Sequence, residues 1–292
     1  MADSKKNKKK WGVEKRLEFI DFRLYWEGRL NRGDLCGYFG VSIPQASGDI
    51  AQYLKLAPGN MVYTRKEKYY FPSDTFKPAL IKPNADLYLS QLHSLSGGLI
   101  EKENTFIRYI PEYTVLGSFK QSVKPETLKV ILAAMKNNKA IEINYQSLSR
   151  PEPIWRWISP HGLASDQFRW HMRAFCHNRF EFRDFVLTRI LDVRGENPSY
   201  TNPEDDKLWH TQVTVKIGPH PDLLDAQKKI IELDYGMTDG IAEIQVRASL
   251  LFYFMQQHGF MEDEQVNRPP HIQQVVLLNR DDVMKSLKQE PQ

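Results

Sequence analysis

The spacing of the apolar residues changes near residue 139 of this 292-residue chain, and that change is the strongest constraint on its fold. Before it the dominant spacing is helical: Val13, Leu17, Ile20 and Leu24 lie three or four residues apart, on one helix face. From Ala140 onwards apolar and polar residues alternate, which indicates strands. The chain is also long for one core, because domains average about 150 residues. The sequence therefore predicts an α+β protein of several domains.

Composition argues against a membrane or secreted protein. The longest apolar runs, residues 130–135 and 250–255, have six residues each, whereas a membrane span needs about 18. No apolar segment precedes Trp11, so no secretory signal is predicted. The two cysteines, Cys36 and Cys176, are far apart, which excludes a disulfide scaffold. We expect a cytoplasmic protein with no membrane partner.

Positive charge is concentrated at the start of the chain. Residues 1–72 contain 14 lysines and arginines and 8 acidic residues, a net charge of +6. The other 220 residues therefore carry −2, since the whole chain carries +4. Five of these cations form a lysine tail, which by itself also fits a plain solubility role: Lys5, Lys6, Lys8, Lys9 and Lys10. A basic head on a slightly acidic body suits a polyanionic partner that contacts only the head.

The region after the lysine tail, residues 11–72, is predicted to contain three helices and a hairpin. The break between the second and third helices is short, which leaves the third helix free to enter a major groove. Ser42 is predicted as the N-cap of that helix, with Gln45 as its capping-box partner. Two short strands at 61–64 and 69–71 follow, joined by a charged turn. This order of elements is that of a winged helix-turn-helix.

The third helix would present small, uncharged groups to base edges, with Asp49 as the exception. Phosphate contacts must then come from the wing and the tail, because cations supply most of the affinity for DNA. The predicted contacts to double-stranded DNA are Ser42, Pro44, Gln45, Ser47, Gln52, Lys55, Arg65, Lys66 and Lys68. One winged helix reads few base pairs, so a homodimer on an inverted repeat is expected. The alternative is a three-helix protein-interaction module whose charges form a solvated face.

The alternating segments after Ala140 predict a small β-barrel of the Sm/SH3 type. On the strand at 168–176, Arg169, His171 and Arg173 share one face. Cations side by side repel one another, so this face is expected to meet solvent or an anion, and Arg173→Ala is expected to leave melting nearly unchanged. The alternative is a solvated face on which Glu181 and Asp184 are the partners.

The last third of the chain alternates strand and helix patterns, typical of a compact α+β unit. The dimer surface is expected in this extension and in the connecting helices. The predicted division is a basic tail at 1–10, a winged helix-turn-helix at 11–72, a linker with connecting helices at 73–138, a sensor domain at 139–200 and a C-terminal dimerisation extension at 206–292.

A family resemblance rests on Trp170, His171, Met172 and Arg173, with residues 158–162 before them and 185–190 after them. These segments resemble the core of a WYL domain, although His171 and Met172 replace the Tyr and Leu of its name. Residues 11–285 resemble the BrxR/CapW-like transcriptional regulators linked to bacterial anti-phage defence. The resemblance implies a homodimeric repressor whose WYL domain senses a nucleotide or nucleic-acid ligand. The matching ligand-binding positions are Ser159, His161, His171, Arg173 and Arg189, with Tyr145 and Arg183 as further candidates.

The usual signatures of enzymes do not occur. The strings GxxxxGK[ST], GxGxxG, HExxH and GxSxG are missing, so no enzyme and no cofactor is predicted. The histidines have no acids at metal-ligand spacing, so no metal site is predicted either. Asp205 and Asp206 are interpreted as loop and helix-start acids. The competing function is binding of RNA or single-stranded nucleic acid by the Sm-like barrel, through Arg169, Arg173 and stacked aromatic rings.

Overall fold

The structure is a computed structural model that describes residues 2–116, 122–262 and 267–287, with side chains from residue 12 onwards. It divides into two compact units, one on each side of residue 117. The side chains of the predicted lysine tail lie outside the described residues.

The N-terminal unit begins with three helices and a two-stranded hairpin, as predicted. Its core contains Ile20, Leu35, Ile50 and Tyr53, all at most 2% exposed. Gly40 ends the second helix with a φ of 63°, a conformation that glycine adopts without strain. The elements are α1 (Ala2–Glu27), α2 (Arg32–Phe39), α3 (Ile43–Leu56) and the antiparallel strands β1 (Met61–Thr64) and β2 (Tyr69–Pro72).

The predicted capping box on α3 is only half formed. Ser42 Oγ accepts a hydrogen bond from the Gln45 amide at 3.4 Å, but within the described residues the Gln45 side chain does not return a bond to Ser42. An exposed amide gains little from closing the box, since water offers the same hydrogen bonds. The complete box is on α2, where Asn31 and Asp34 exchange bonds of 3.0 and 2.8 Å.

The predicted linker after the hairpin is held against α1. Asp21, which is fully buried, accepts hydrogen bonds on Oδ2 from the amides of Ala79, Leu80 and Ile81, at 2.8 to 3.0 Å. Its Oδ1 accepts a bond from the Tyr53 hydroxyl. The unit is completed by α4 (Ala85–Ser96) and a 3-10 turn (Lys102–Asn104).

The C-terminal unit begins with a helix packed on a five-stranded antiparallel sheet. Ile131 of the helix contributes to a core with Ile143, Ile158 and Met172 of the sheet, and all four are fully buried. The strands lie in the order β6-β5-β4-β3-β7. The elements are α5 (Pro125–Lys136), β3 (Lys139–Tyr145), β4 (Ile154–Ser165), β5 (Trp170–Cys176), β6 (Glu181–Val186) and β7 (Ile190–Pro198).

The expected Sm/SH3-like barrel is not confirmed. In the part of the chain that the structure describes, β6 and β7 lie at the two edges of the sheet, and no pairing between them closes it. Alternation of residue types predicts strands but carries no information on which strands pair. Here β7 pairs with β3 and not with β6, so the sheet stays open.

The predicted C-terminal α+β extension is observed as a three-stranded antiparallel sheet in the order β10-β8-β9, with helices around it. Leu251, Met255, Phe260 and Val283 are fully buried in its core. No helix within the described ranges is both long and apolar enough to cross a membrane. The elements are α6 (Lys207–His210), β8 (Gln212–Pro219), α7 (Asp225–Asp234), β9 (Ala242–Arg247), α8 (Leu251–Gln257), β10 (Val275–Leu277) and α9 (Arg280–Leu287).

Candidate DNA interface and candidate sensor site

A buried ion pair orients α3 against α1. Asp49 of α3 is 4% exposed and accepts two hydrogen bonds from Arg16, at 2.6 Å from Nε and 3.0 Å from Nη2. Asp49 therefore does not belong to the face that α3 presents, contrary to the sequence-based expectation. A bidentate pair of this kind sets the rotation of the helix about its axis, so the opposite face of α3 is the one turned to solvent.

The predicted DNA-contacting residues lie on that exposed face and on the turn of the hairpin. Ser47 is half-buried, and its hydroxyl donates to the Ile43 carbonyl at 2.9 Å. The others are exposed: Ser42, Pro44, Gln45, Gln52, Lys55, Arg65, Lys66 and Lys68. Within the described residues, the side chains of these glutamines, lysines and Arg65 have no protein partner, so they are available to a ligand.

Arg29 is a cation near the hairpin that the sequence did not single out. It is exposed, and its guanidinium lies 4.9 Å from the centre of the Tyr69 ring. The segment after α1 reaches the hairpin because Leu30 and Tyr70 exchange two backbone hydrogen bonds, at 2.9 and 2.7 Å. No local pattern predicts this pairing, since the two residues are far apart along the chain.

The polar face of β5 is buried, which corrects the expectation of a solvent-facing group of cations. His171 is 1% exposed and Arg173 is 4% exposed. Asp206, 33 residues further on, accepts bonds from Arg173 Nε at 2.7 Å and from Nη2 at 3.0 Å. Asp184 lies 3.4 Å from Arg173 Nη1. Carboxylates therefore balance the charge of Arg173, and the chain after β7 covers this face.

The two histidines of this face are also paired with carboxylates. His161 Nε2 lies 3.0 Å from Asp206 Oδ2, and His171 Nε2 lies 3.0 Å from Asp166 Oδ2. Aromatic rings of the C-terminal extension pack on both imidazoles: that of Trp209 on His161 at 5.6 Å and that of Tyr253 on His171 at 4.6 Å between centroids.

The protonation of the carboxylates follows from these contacts. Burial opposes ionisation of Asp206, but hydrogen bonds from His161 and Arg173 lower its pKa well below the usual range. Burial also opposes ionisation of Asp166, and again the bond from His171 lowers the pKa. For Asp184 burial prevails over Arg173 and raises the pKa. An anion that binds Arg173 would have to displace Asp206.

The other predicted ligand-binding residues have separate surroundings. Ser159 Oγ is hydrogen-bonded to His177 Nε2 at 2.9 Å and accepts a bond from Ser199. The remaining three are Arg189, which is half-buried in a 3-10 turn, and Tyr145 and Arg183, which line a cavity of about 480 Å³. The seven predicted residues therefore do not converge on one site.

Sequence reasoning missed the roles of two residues in this region. Asp206 was interpreted as a helix-start acid, and it does accept the Trp209 amide at 3.2 Å as the N-cap of α6. Its role as the partner of Arg173 had no local signal. Arg156, which lines the 480 Å³ cavity, lies in a strand that was predicted from its apolar residues alone.

Three family models match successive parts of the chain. They are the BrxR transcriptional regulator winged helix-turn-helix domain at residues 12–94, the WYL domain at 126–194 and the BrxR transcriptional regulator C-terminal dimerization domain at 212–283. None of these three models describes an enzymatic domain. Together with the exposed face of α3, they define a winged-helix transcriptional regulator that contains a WYL domain.

Similar proteins make the assignment narrower. The DNA-binding transcriptional repressor CapW of Stenotrophomonas maltophilia is 37% identical over 99% of this chain and 97% of its own. CapW of Escherichia coli (strain KTE188) is 36% identical over 98% and 96%. The chain belongs to this CapW family of DNA-binding transcriptional repressors. The solved structure of proteasome accessory factor B/C (PafBC) of Arthrobacter aurescens aligns with 96% of this chain and about half (49%) of its own, at 18% identity and a TM-score of 0.23.

Proposed function

We propose that this protein represses transcription of a phage-defence operon in the cytoplasm by binding an inverted repeat as a homodimer. A nucleotide or nucleic-acid ligand at the WYL domain controls that binding. The observation that carries the DNA-binding part is the exposed face of α3, uncharged up to Lys55 in its last turn, beside a hairpin turn whose three cations have no partner among the described residues. Uncharged side chains suit base edges, and cations suit phosphates.

The proposal of a homodimer has two supports. The C-terminal dimerization model matches residues 212–283. A single winged helix reads too few base pairs for a unique site, whereas two copies related by a two-fold axis double the readout. The proposed DNA contacts are Ser42, Pro44, Gln45, Ser47, Gln52, Lys55, Arg65, Lys66 and Lys68.

The test is selection of a preferred duplex from a randomised pool by the full chain. We expect an inverted repeat that binds two copies of the protein, as measured by sedimentation of the complex. The separated strands of the same duplex should bind more weakly. A preference for single strands would instead support RNA or single-strand binding, and one monomer per duplex would contradict the proposal of a dimer.

Replacing the glutamines of α3 should affect specificity rather than stability. Gln45 and Gln52 are exposed and, within the described residues, have no side-chain partner to lose. Gln45→Ala with Gln52→Ala should reduce the preference for the selected duplex over random DNA by about 1–3 kcal/mol for each lost base contact. Melting should change little, and competition binding at fixed salt measures the preference.

The hairpin cations should affect affinity for any duplex, in contrast to the glutamines of α3, and the same assay tests this. Lys66→Ala with Lys68→Ala should weaken binding to selected and random duplexes alike, and lower the log-log salt slope by about one per lost phosphate contact. Lys136→Ala, at an exposed lysine in the last turn of α5, is the control for charge. Unequal losses on selected and random DNA would contradict this division between α3 and the hairpin.

A further inference from the structure

The 480 Å³ cavity at the end of the five-stranded sheet has a cationic lining. Four arginines line it, Arg150, Arg156, Arg179 and Arg183, together with one carboxylate, Asp184. Asp184 lies 3.4 Å from Arg173, so its charge is already engaged. Ligand pockets commonly have volumes of about 300–1,000 Å³, and this cavity lies in that range.

Arg156 is the residue in this lining that most favours an anionic ligand. It is 8% exposed, and its Nε has no hydrogen-bond partner. In the described part of the chain no carboxylate pairs with it, and its guanidinium lies over the rings of Tyr145 and Phe185 at 5.5 and 5.8 Å. Burying an unpaired cation is unfavourable. The three other buried arginines of the described residues, Arg16, Arg23 and Arg173, all have carboxylate partners.

The charge around Arg156 is not balanced within the cavity. Arg183 pairs with Glu181 at 2.6 Å. Arg150 and Arg179 are exposed, and within the described residues neither side chain has an ion-pair partner. The hydroxyls of Ser147 and Ser149 lie 3.1 Å apart in the same lining and add hydrogen-bond donors. Exposed cations at the rim attract an anion, and a buried one holds it.

We propose that this cavity binds a phosphate-bearing ligand of mononucleotide size, with Arg156 as the buried anchor of the phosphate. A guanidinium offers two parallel hydrogen bonds to a phosphate, which none of the neutral groups in the lining can match. The inference rests on the proposed function only for its regulatory consequence. The proposed ligand site is thus the cavity, and not the face of β5 on which carboxylates pair with Arg173.

Calorimetry with the full chain tests binding directly. The probes are the four common ribonucleoside 5′-monophosphates, the matching nucleosides, inorganic phosphate and a 5′-phosphorylated single-stranded tetranucleotide. We expect at least one monophosphate to bind and its nucleoside to fail. Tighter binding of the tetranucleotide would identify a strand end as the source of the phosphate, and equal or weaker binding would identify a free nucleotide. Failure of every phosphate-bearing probe, or equal binding of nucleoside and monophosphate, would overturn the proposal.

Arg156→Met tests the anchor, because methionine retains the side-chain volume without the charge. Loss of a hydrogen bond to a charged group should weaken binding by about tenfold to a hundredfold. Without ligand, the melting temperature should stay the same or rise, since an unpaired buried cation is removed. A lower melting temperature with unchanged affinity would assign Arg156 to structure alone and overturn the proposal.

Two further variants complete the design. Arg179→Gln removes an exposed cation at the rim of the cavity and should weaken nucleotide binding several-fold without changing the melting temperature. This variant tests the proposal if Arg156→Met fails to fold. Arg194→Met is the matched control, because Arg194 is an exposed arginine that pairs with Glu142 and lies over Trp155, outside the cavity lining. DNA affinity is measured separately. If a nucleotide binds without changing DNA affinity, the proposed binding site stands and only the proposed control of DNA binding by a ligand is contradicted.

Discussion

Arg173→Met should lower the free energy of unfolding by about 3–5 kcal/mol, the usual loss when one partner of a buried ion pair is removed. The variant leaves the carboxylates of Asp206 and Asp184 buried without the guanidinium that pairs with them at 2.7 and 3.4 Å. Urea unfolding followed by hydrogen exchange of the β5 amides measures the loss, because it reports on the C-terminal unit separately.

The control for this variant is Arg194→Met, the same substitution at an exposed arginine on the same sheet. The side chain of Arg194, which pairs with Glu142, is 58% exposed. The expected loss in free energy of unfolding is therefore below about 1 kcal/mol. A loss for Arg173→Met as small as that of the control would restore the expectation of a solvent-facing cation.

Acid provides a second measurement on the same pair. Because His161 and Arg173 lower the pKa of Asp206 despite its burial, the folded state favours its ionised form. The resulting stability is present above about pH 3.9, the ordinary aspartate pKa, and is lost as the pH falls towards the lowered pKa. The difference in stability between the wild type and Arg173→Met should therefore narrow below about pH 4.

Asp21→Ala should lower the stability of the N-terminal unit by about 2–4 kcal/mol, because each buried donor left without an acceptor costs about 1–3 kcal/mol. The donors are the Tyr53 hydroxyl and the amides of Ala79, Leu80 and Ile81. Hydrogen exchange over residues 79–81 should become faster in the variant, which shows that the segment is released from α1.

Two substitutions on α1 serve as comparisons for Asp21→Ala. Asp21→Asn keeps one acceptor oxygen and should have an intermediate effect. Glu18→Ala removes a nearby acid whose side chain is 37% exposed and pairs with Lys15, and it should change stability by less than about 0.5 kcal/mol. Unchanged exchange over residues 79–81 in Asp21→Ala would show that the apolar contacts of the segment hold it without Asp21.

The sequence predicted those features whose causes lie within a few residues of each other. The helical spacing of α1, the Ser42 N-cap of α3 and the alternation along β5 each depend on neighbours in one element, so each could be read locally. The cations of the hairpin turn were predicted simply from their position between two short strands. The family resemblance likewise rested on contiguous segments around Trp170, and the comparisons confirmed it.

The WYL domain shows the limit of predictions from local patterns. Alternation correctly placed His171 and Arg173 on the same face of β5, but it did not reveal that the chain after β7 covers that face. The prediction of a free cation at Arg173 is therefore wrong, because Asp206 neutralises it. The four arginines of the cavity lie on two loops and two strands, and no spacing rule connects them.

The class of the protein and the order of its elements could be predicted from neighbouring residues, because periodicity and capping are local properties. Which face is covered and which charge is paired became clear from the three-dimensional fold. Asp21 meets amides 58 to 60 residues away, and Asp206 meets Arg173 across 33 residues. The physical reason is that burial and ion pairing depend on which segments the fold brings together, and the energy of a charge depends on that surrounding.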